Sequence, residues 1–196
     1  ALQHAIHRRE VAVVGLPGDV AASPCAESPG ASGPLPSHGI YRPLDGELRQ
    51  LAEMIGSAER ITVFCGIGAR EAHDEVVRLA AMLKAPVAYT FKAKMEVQYD
   101  NPYEIGMTGL LGLPSAYGAM HESDLLLLLG TDFPYDCFLP SECRIAQVDI
   151  RPERIGRRAR VELGLAGDVK AALQALCPML RERSARVLLD RQLSIY

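Results

Sequence analysis

Five consecutive leucines, Leu125–Leu129, form an unbroken apolar run that leads directly into Gly130-Thr131. A membrane span needs about 20 apolar residues, so this run has the length of a strand. A strand that is apolar at every position must be buried on both faces, which is the habit of parallel sheets covered by helices on each side. Other short runs repeat the pattern. Residues 61–65, 86–89, 144–149 and 161–165 read as strands, giving five with the leucine strand, read here as 124–129. Between them lie stretches with apolar residues at helical spacing. A helix is expected over 45–56, with Asp45 as N-cap and Leu48, Leu51, Ala52 and Ile55 on its apolar face. A second covers 71–84 through Val76, Leu79, Ala80 and Leu83, a short one lies around 115–121, and a last one closes the chain over 168–183. Residues 92–112 read as a long loop. Strands alternating with helices predict an α/β fold, a doubly wound parallel sheet with helices on both faces.

The beginning of the chain does not fit this rhythm. Leu2 to Arg9 reads as the end of a helix, and Val11-Ala12-Val13-Val14 as a buried strand closed by Gly15 and Pro17. One helix and one strand cannot form a core, so residues 1–20 are expected to be the last piece of a preceding domain. Residues 21–43 are rich in Ser, Pro, Gly and Ala and have a linker's composition. The regular domain then runs over 44–182. No basic segment with an apolar stretch behind it marks the N-terminus as a secretory signal, so a soluble, cytoplasmic protein is expected. Twenty-one basic residues against 24 acidic ones give a net charge of −3, the wrong balance for a nucleic-acid binder. Cys25, Cys65, Cys137, Cys143 and Cys177 are scattered without a CxxC pair, as plain thiols are. His4, His7, His38, His73 and His121 form no metal-ligand spacing. His73, among charged residues, reads as a solvated surface histidine, and His121 as a helper at a helix C-terminus. No metal site and no catalytic residue is assigned.

Ligands of doubly wound sheets bind beyond the carboxyl ends of the strands, near the switch in strand order. Here those ends are rich in glycine and small polar residues. The first strand runs into Gly66-Ile67-Gly68-Ala69-Arg70, the leucine strand into Gly130-Thr131-Asp132-Phe133-Pro134, and residues 144–149 end on Asp149. A strand–GxG–helix junction lets backbone N–H groups approach a phosphate, although the same glycines also serve a tight turn. Asp149 suits a ribose hydroxyl pair or, equally, caps the turn at Ile150-Arg151-Pro152. Three glycines in Gly106-Met107-Thr108-Gly109-Leu110-Leu111-Gly112 imply close backbone approach. Together these loops point to a nucleotide-type ligand.

The stretches GIGAR (from Gly66), PVAYTFKAK (from Pro86), YDNPYEIGMTGLLG (from Tyr99), SDLLLLLGTDFPY (from Ser123), AQVDIRPERIG (from Ala146) and LAGDVKAAL (from Leu165) resemble, in that order, the central domain of thiamine-diphosphate-dependent enzymes. The likeness spans residues 44–180 and is strongest to the pyruvate oxidase and quinone-dependent pyruvate dehydrogenase branch. It implies a Rossmann-like sheet of six parallel strands, one more than the residues themselves give. It also implies FAD, held near Gly66, Gly68 and Arg70, at Phe91 and Lys92, at Met107, Thr108 and Gly109, and at Gly130, Thr131, Asp132, Phe133 and Pro134. Asp149 and Ile150 would face the adenosine half, and Gly167, Asp168 and Val169 would close the site. Many relatives carry Lys-Gly where this chain has Lys94-Met95. Residues 1–20 resemble the end of the family's N-terminal pyrimidine-binding domain, and 183–196 the lead into its C-terminal pyrophosphate-binding domain.

The family's thiamine-diphosphate and Mg2+ motif is not in this sequence. The resemblance therefore implies that those cofactors and the carbon chemistry belong to the N- and C-terminal domains of a longer parent. That parent would be a homotetramer that oxidatively decarboxylates a 2-oxo acid such as pyruvate and passes electrons to FAD, then to a quinone or oxygen. It would be cytoplasmic or peripheral to a membrane. Other branches of the family carry ADP, or no nucleotide, in the same domain.

Overall fold

The computed structural model describes residues 1–8, 10–24, 33 and 39–196. Arg9, Cys25, His38 and most of the stretch read as a linker lie outside the described residues. The chain divides into two units, 1–40 and 41–196. In the first, α1 (Leu2–Arg8) is the expected helix and α2 (Gly18–Ala21) is a single further turn. Residues 11–14 do not form the expected buried strand. They join no ladder, and Val11 and Val13 are 88% and 89% exposed. An apolar run takes strand geometry only where a neighbouring strand receives its N–H and C=O groups, and none does so among the described residues.

The second unit is built on six parallel strands: β1 (Ile61–Cys65), β2 (Val87–Tyr89), β3 (Glu104–Met107), β4 (Leu125–Leu129), β5 (Arg144–Asp149) and β6 (Leu163–Ala166). Their order is β3-β2-β1-β4-β5-β6, and β1 and β4 pair over all five residues, from Ile61 with Leu125 to Cys65 with Leu129. The sixth strand, β3, lies inside the segment read as a loop. It has four residues, only two of them buried, and its register with β2 is irregular. So short an edge strand leaves no period in the sequence.

Side chains alternate across this sheet into two cores. Ile61, Val63, Cys65, Leu125, Leu127 and Leu129 face α3 (Asp45–Ser57), α4 (His73–Leu83) and α7 (Val169–Leu176). Phe64, Leu126, Leu128 and Ile145 face α6 (Pro114–Glu122), through Ala116, Ala119 and Met120. Each buried leucine contributes about 1.5–3 kcal/mol relative to exposure. The short helix α5 (Lys94–Val97) precedes β3, and α8 (Val187–Ile195) packs on α6. Residues 183–196, read as a lead into a further domain, thus supply a helix to this face. Gln192 of α8 buries its amide there beside Gly118, with no partner for it among the described residues.

Three helix ends differ from expectation. Asp45 is the first residue of α3, not its cap, and ion-pairs with Arg42, while the Glu47 carboxylate accepts the Leu44 N–H at 2.8 Å. The helix α4 begins at His73 instead of residue 71. Helix α7 stops at Leu176, followed by a tight turn at Cys177–Met179. Pro178 has no N–H to continue the ladder and its ring obstructs the preceding turn. Among the described residues, no helix is long and apolar enough to cross a membrane.

Candidate nucleotide site

Strand order reverses between β1 and β4, so the crevice of this sheet opens where the loops after those two strands part. The loops stay in contact. The Gly66 N–H donates to the Leu129 carbonyl at 2.8 Å and the Gly68 N–H to the Gly130 carbonyl at 2.9 Å. A Cβ on Gly66 would stand 2.3 Å from the Gly130 oxygen, and one on Gly68 2.7 Å from the Gly130 Cα. Gly130 itself has φ +61. The glycines of the GxG turn thus permit backbone-to-backbone approach of two loops. The amides of both glycines are engaged within the protein, as in a tight turn.

The β3 and β4 loops meet on the α6 side. Gly109, at φ +117, presents its Cα to Phe133, whose ring would lie 3.4 Å from a Cβ there. Phe133 is buried and stacks edge-on with Phe64 at 5.3 Å and with Tyr135 at 5.4 Å. The β3 loop is closed by Leu113 N–H to Met107 O, at 2.8 Å, and by Gly112 N–H to Gly109 O, at 2.9 Å. Thr108 and Thr131 are buried, Met107 is half-buried, and Pro134, Leu110 and Leu111 are exposed. Gly109 and Phe133 therefore form one apolar corner on the α6 side, whereas the Met107 side chain packs into the core on the other face.

Asp149 ends β5 buried. One of its oxygens accepts the Arg151 N–H at 2.9 Å, so it caps the following turn, while the neighbouring Ile150 side chain is exposed. Burial raises the Asp149 carboxyl above its ordinary range, against that N–H and the nearby Arg154. In the unfolded chain this group ionises near 3.8; in the folded domain it ionises at higher pH. Its stabilising contribution is therefore present below 3.8 and is lost as pH rises through the folded value. Asp149→Asn, which keeps an acceptor for Arg151, is expected to melt at higher temperature than the parent at neutral pH. The gap should close as pH falls to about 4, and thermal melts across that range by circular dichroism test it.

Other expected site residues are more scattered. Arg70 ion-pairs with Glu96 at 3.5 Å, and Phe91 and Lys92 are exposed after β2. Gly167 packs on Pro43, where a Cβ would stand 2.4 Å from its ring. Asp168 caps α7 through the Ala171 N–H at 2.9 Å, and Val169 is buried in that helix. These three lie at the β6 edge, across the sheet from Met107, Thr108 and Gly109 at the β3 edge. Five strand spacings of about 4.8 Å put those groups some 24 Å apart, so only an elongated ligand reaches both.

His73 is not a solvated residue. It is buried, stacks on Tyr99 at 4.0 Å and hydrogen-bonds the Tyr99 carbonyl at 2.6 Å, pinning the turn before β3. His121, in the last turn of α6, stacks on Tyr117 and reaches the Phe138 carbonyl at 3.3 Å. The described cysteines Cys65, Cys137, Cys143 and Cys177 are free thiols; burial pushes the Cys143 thiol up to about 11. Among the described residues, no three His, Cys, Asp or Glu side chains group to hold a metal ion.

One feature at this edge went unread in the sequence. Three guanidinium groups converge on Asp132: Arg158 at 3.1 Å, Arg157 at 3.3 Å and Arg154 at 3.9 Å. Gln147, polar and buried in the middle of β5, fixes their loop. Its amide donates to the carbonyls of Thr131 and Arg154, at 3.2 and 3.3 Å, and its oxygen accepts the Gly156 N–H at 3.0 Å.

A family model described as thiamine pyrophosphate enzyme, central domain, matches residues 48–176. Over its whole length the chain is 46% identical to an uncharacterized 42.6 kDa protein of Pseudomonas amyloderamosa, of which it covers 50%. Acetolactate synthase of Mycobacterium bovis is 31% identical over 86% of this chain and 29% of its own length. Pyruvate oxidase of Lactiplantibacillus plantarum is 26% identical over 94% of this chain and 32% of its own. A crystal structure described as a thiamin diphosphate-dependent enzyme from Mycobacterium smegmatis aligns with TM-score 0.66 and 25% identity, over 82% of this chain and 32% of that one. The chain thus spans half of the first relative and about a third of the others.

Proposed function

Because the chain belongs to the thiamine pyrophosphate enzyme central-domain family, we propose that residues 44–182 are a nucleotide-binding domain that holds FAD in an oxidative 2-oxo acid decarboxylase. The observation that carries this reading is the corner made by Gly109 and Phe133. A glycine free of side-chain bulk and backed by a buried aromatic cluster leaves an open backbone face of the kind an isoalloxazine packs against. Asp149, with one oxygen committed to Arg151, keeps acceptor capacity for ribose hydroxyls. The residues fit FAD at these two ends. At Gly66 and Gly68 they do not, because those amides are hydrogen-bonded within the protein.

When bound, FAD would supply a two-electron acceptor. The chain's own contribution would be to orient it: Gly109, backed by Phe133, would exclude water from one side of the ring, and Asp149 would hold the adenosine. Thr131, Asp132 and Pro134 border the corner, with Gly130 setting their loop. Arg70, Phe91 and Lys92 line the approach from β2, and Ile150, Gly167, Asp168 and Val169 the far edge. Thiamine diphosphate, Mg2+, the 2-oxo acid and a quinone or oxygen as final acceptor would be handled by other domains of a longer, oligomeric parent. Residues 1–20 and 183–196 would join this domain to its neighbours.

The 31% identity to an acetolactate synthase favours a second reading, a structural central domain that holds ADP and no flavin. Titration of FAD into the chain, followed by flavin fluorescence with ADP and coenzyme A as competitors, tests both. Saturable FAD binding that weakens at least tenfold in Gly109→Val and Asp149→Ala is the expected result. Binding of ADP without FAD selects the second reading, and no response to any nucleotide overturns both.

A further inference from the structure

The two glycine amides of the GxG turn are committed within the protein, so an anion at this edge needs other donors. Gly66, Gly68, Ala69 and Arg70 all donate their N–H groups to carbonyls, those of Leu129, Gly130, Gly66 and Ile67, at 2.8–3.1 Å. The loop after β5 is chemically the opposite. Arg151, Arg154, Arg157, Arg158 and Arg160 fall within ten residues, and three of them converge on the single carboxylate of Asp132. That carboxylate is mostly buried, at 19% side-chain exposure, whereas Arg157 keeps 55% of its side chain in solvent.

Three guanidinium groups around one carboxylate leave a local excess of positive charge that a further anion would balance. A guanidinium presents five N–H donors in a planar fork matched to carboxylate or phosphate oxygens. With so few of those donors directed at Asp132, capacity remains for a tetrahedral anion on the solvent side. The cluster is also preorganised. Gln147 ties the Arg154 carbonyl and the Gly156 N–H to the same strand that ends in Asp149. Ile155 rests on Gly164, where a Cβ would stand 2.3 Å from its methyl carbon.

We infer that Arg154, Arg157 and Arg158, held around Asp132, form a phosphoryl-binding subsite for a phosphate ester of an adenosine nucleotide whose ribose lies at Asp149. The assignment of the ribose rests on the proposed nucleotide site; the anion subsite itself does not. The phosphoryl group belongs either to the 5′-diphosphate or to a phosphate on the ribose, and the shared chemistry is a multiply charged phosphate held by guanidinium forks.

The test is calorimetric titration of the 196-residue chain with pyrophosphate, ADP, adenosine 2′,5′-bisphosphate and adenosine 3′,5′-bisphosphate at low and high salt. The proteins compared are the parent, the double variant Arg157→Gln/Arg158→Gln, and Arg191→Gln as a control on α8, with circular dichroism confirming equal folding. Pyrophosphate binding that weakens with salt, falls about tenfold or more in the double variant and is unchanged in the control is the expected result. Asp132→Asn, which removes the internal competitor, should bind pyrophosphate more tightly than the parent, and this arm holds even if the double variant misfolds. A bisphosphate that outcompetes ADP by tenfold assigns the ribose phosphate, and ADP that binds as tightly as either bisphosphate or more tightly assigns the diphosphate. Absence of pyrophosphate binding, or equal binding by the double variant, overturns the subsite and points to an acidic protein neighbour. Arginine-dependent pyrophosphate binding with no FAD binding would instead retain the subsite and overturn the flavin reading.

Discussion

Gly130→Ala is expected to destabilise the domain by about 3–5 kcal/mol, a loss measurable as a shift of the urea midpoint by far-UV circular dichroism. Two costs combine. An L-residue at φ +61 carries about 1–2 kcal/mol of backbone strain. The added methyl would also stand 2.6 Å from the Gly68 Cα and 2.7 Å from its carbonyl carbon. Those atoms are backbone and cannot rotate away, so the two loops at the strand-order switch must part. The Gly66-to-Leu129 and Gly68-to-Gly130 hydrogen bonds would then stretch, and each is worth about 1 kcal/mol. Gly156→Ala is the matched control. Its φ is +73 but nothing lies within 4 Å of the new methyl, so it should cost only the strain, about 1–2 kcal/mol. If both variants lose the same amount, the loop contact contributes nothing and strain alone explains Gly130.

Phe133→Ala is expected to cost about 3–5 kcal/mol, the range for emptying a buried aromatic position. Phe133 is 5% exposed and packs edge-on against Phe64, Tyr135 and Phe138, at 5.3, 5.4 and 6.4 Å. Its loss removes those ring contacts together with the wall against which Gly109 is set. The loop from Met107 to Leu113 should therefore loosen beyond the global change. Hydrogen exchange reads this directly: the amides of Gly112 and Leu113, which close that loop, should exchange faster by more than the fall in overall stability requires. Phe133→Leu, which keeps most of the volume, should cost less than half as much and leave those amides protected. Faster exchange in both variants would mean that the ring's edge contacts, rather than its bulk, hold the loop.

What the sequence made legible follows from how much local signal each feature carries. The central strands were readable to within a residue because Leu125–Leu129 is apolar throughout, Ile61–Cys65 is apolar but for Thr62, and both end at glycines. The β3 strand was not, since Glu104 and Gly106 interrupt its four residues and its partner β2 has only three. Helix α7 was read too long because its apolar spacing continues past Pro178, whose effect on the backbone should have ended it. His73 carries charged neighbours in sequence, yet Tyr99, 26 residues later, buries it. The candidate site divides in the same way. Glycines and Asp149 at strand ends were visible, but the partner of the GxG turn is Gly130, reached only through the fold. Two signals were present and unread. A glutamine at position 147 amid apolar residues marks a buried amide with backbone partners, and five arginines in one short loop mark a charge that something must balance.

The alternation of side chains across the six strands gives the domain two cores that share a backbone and little else. Phe64, Leu126, Leu128 and Ile145 answer to α6, while Val63, Leu127 and Val148 answer to α3, α4 and α7. Substitutions on opposite faces share few contacts, so their effects on stability should add, whereas substitutions within one core should couple. The rim of loops above them belongs to neither. A lineage built on this frame can exchange the chemistry at its strand ends while either core changes independently beneath it.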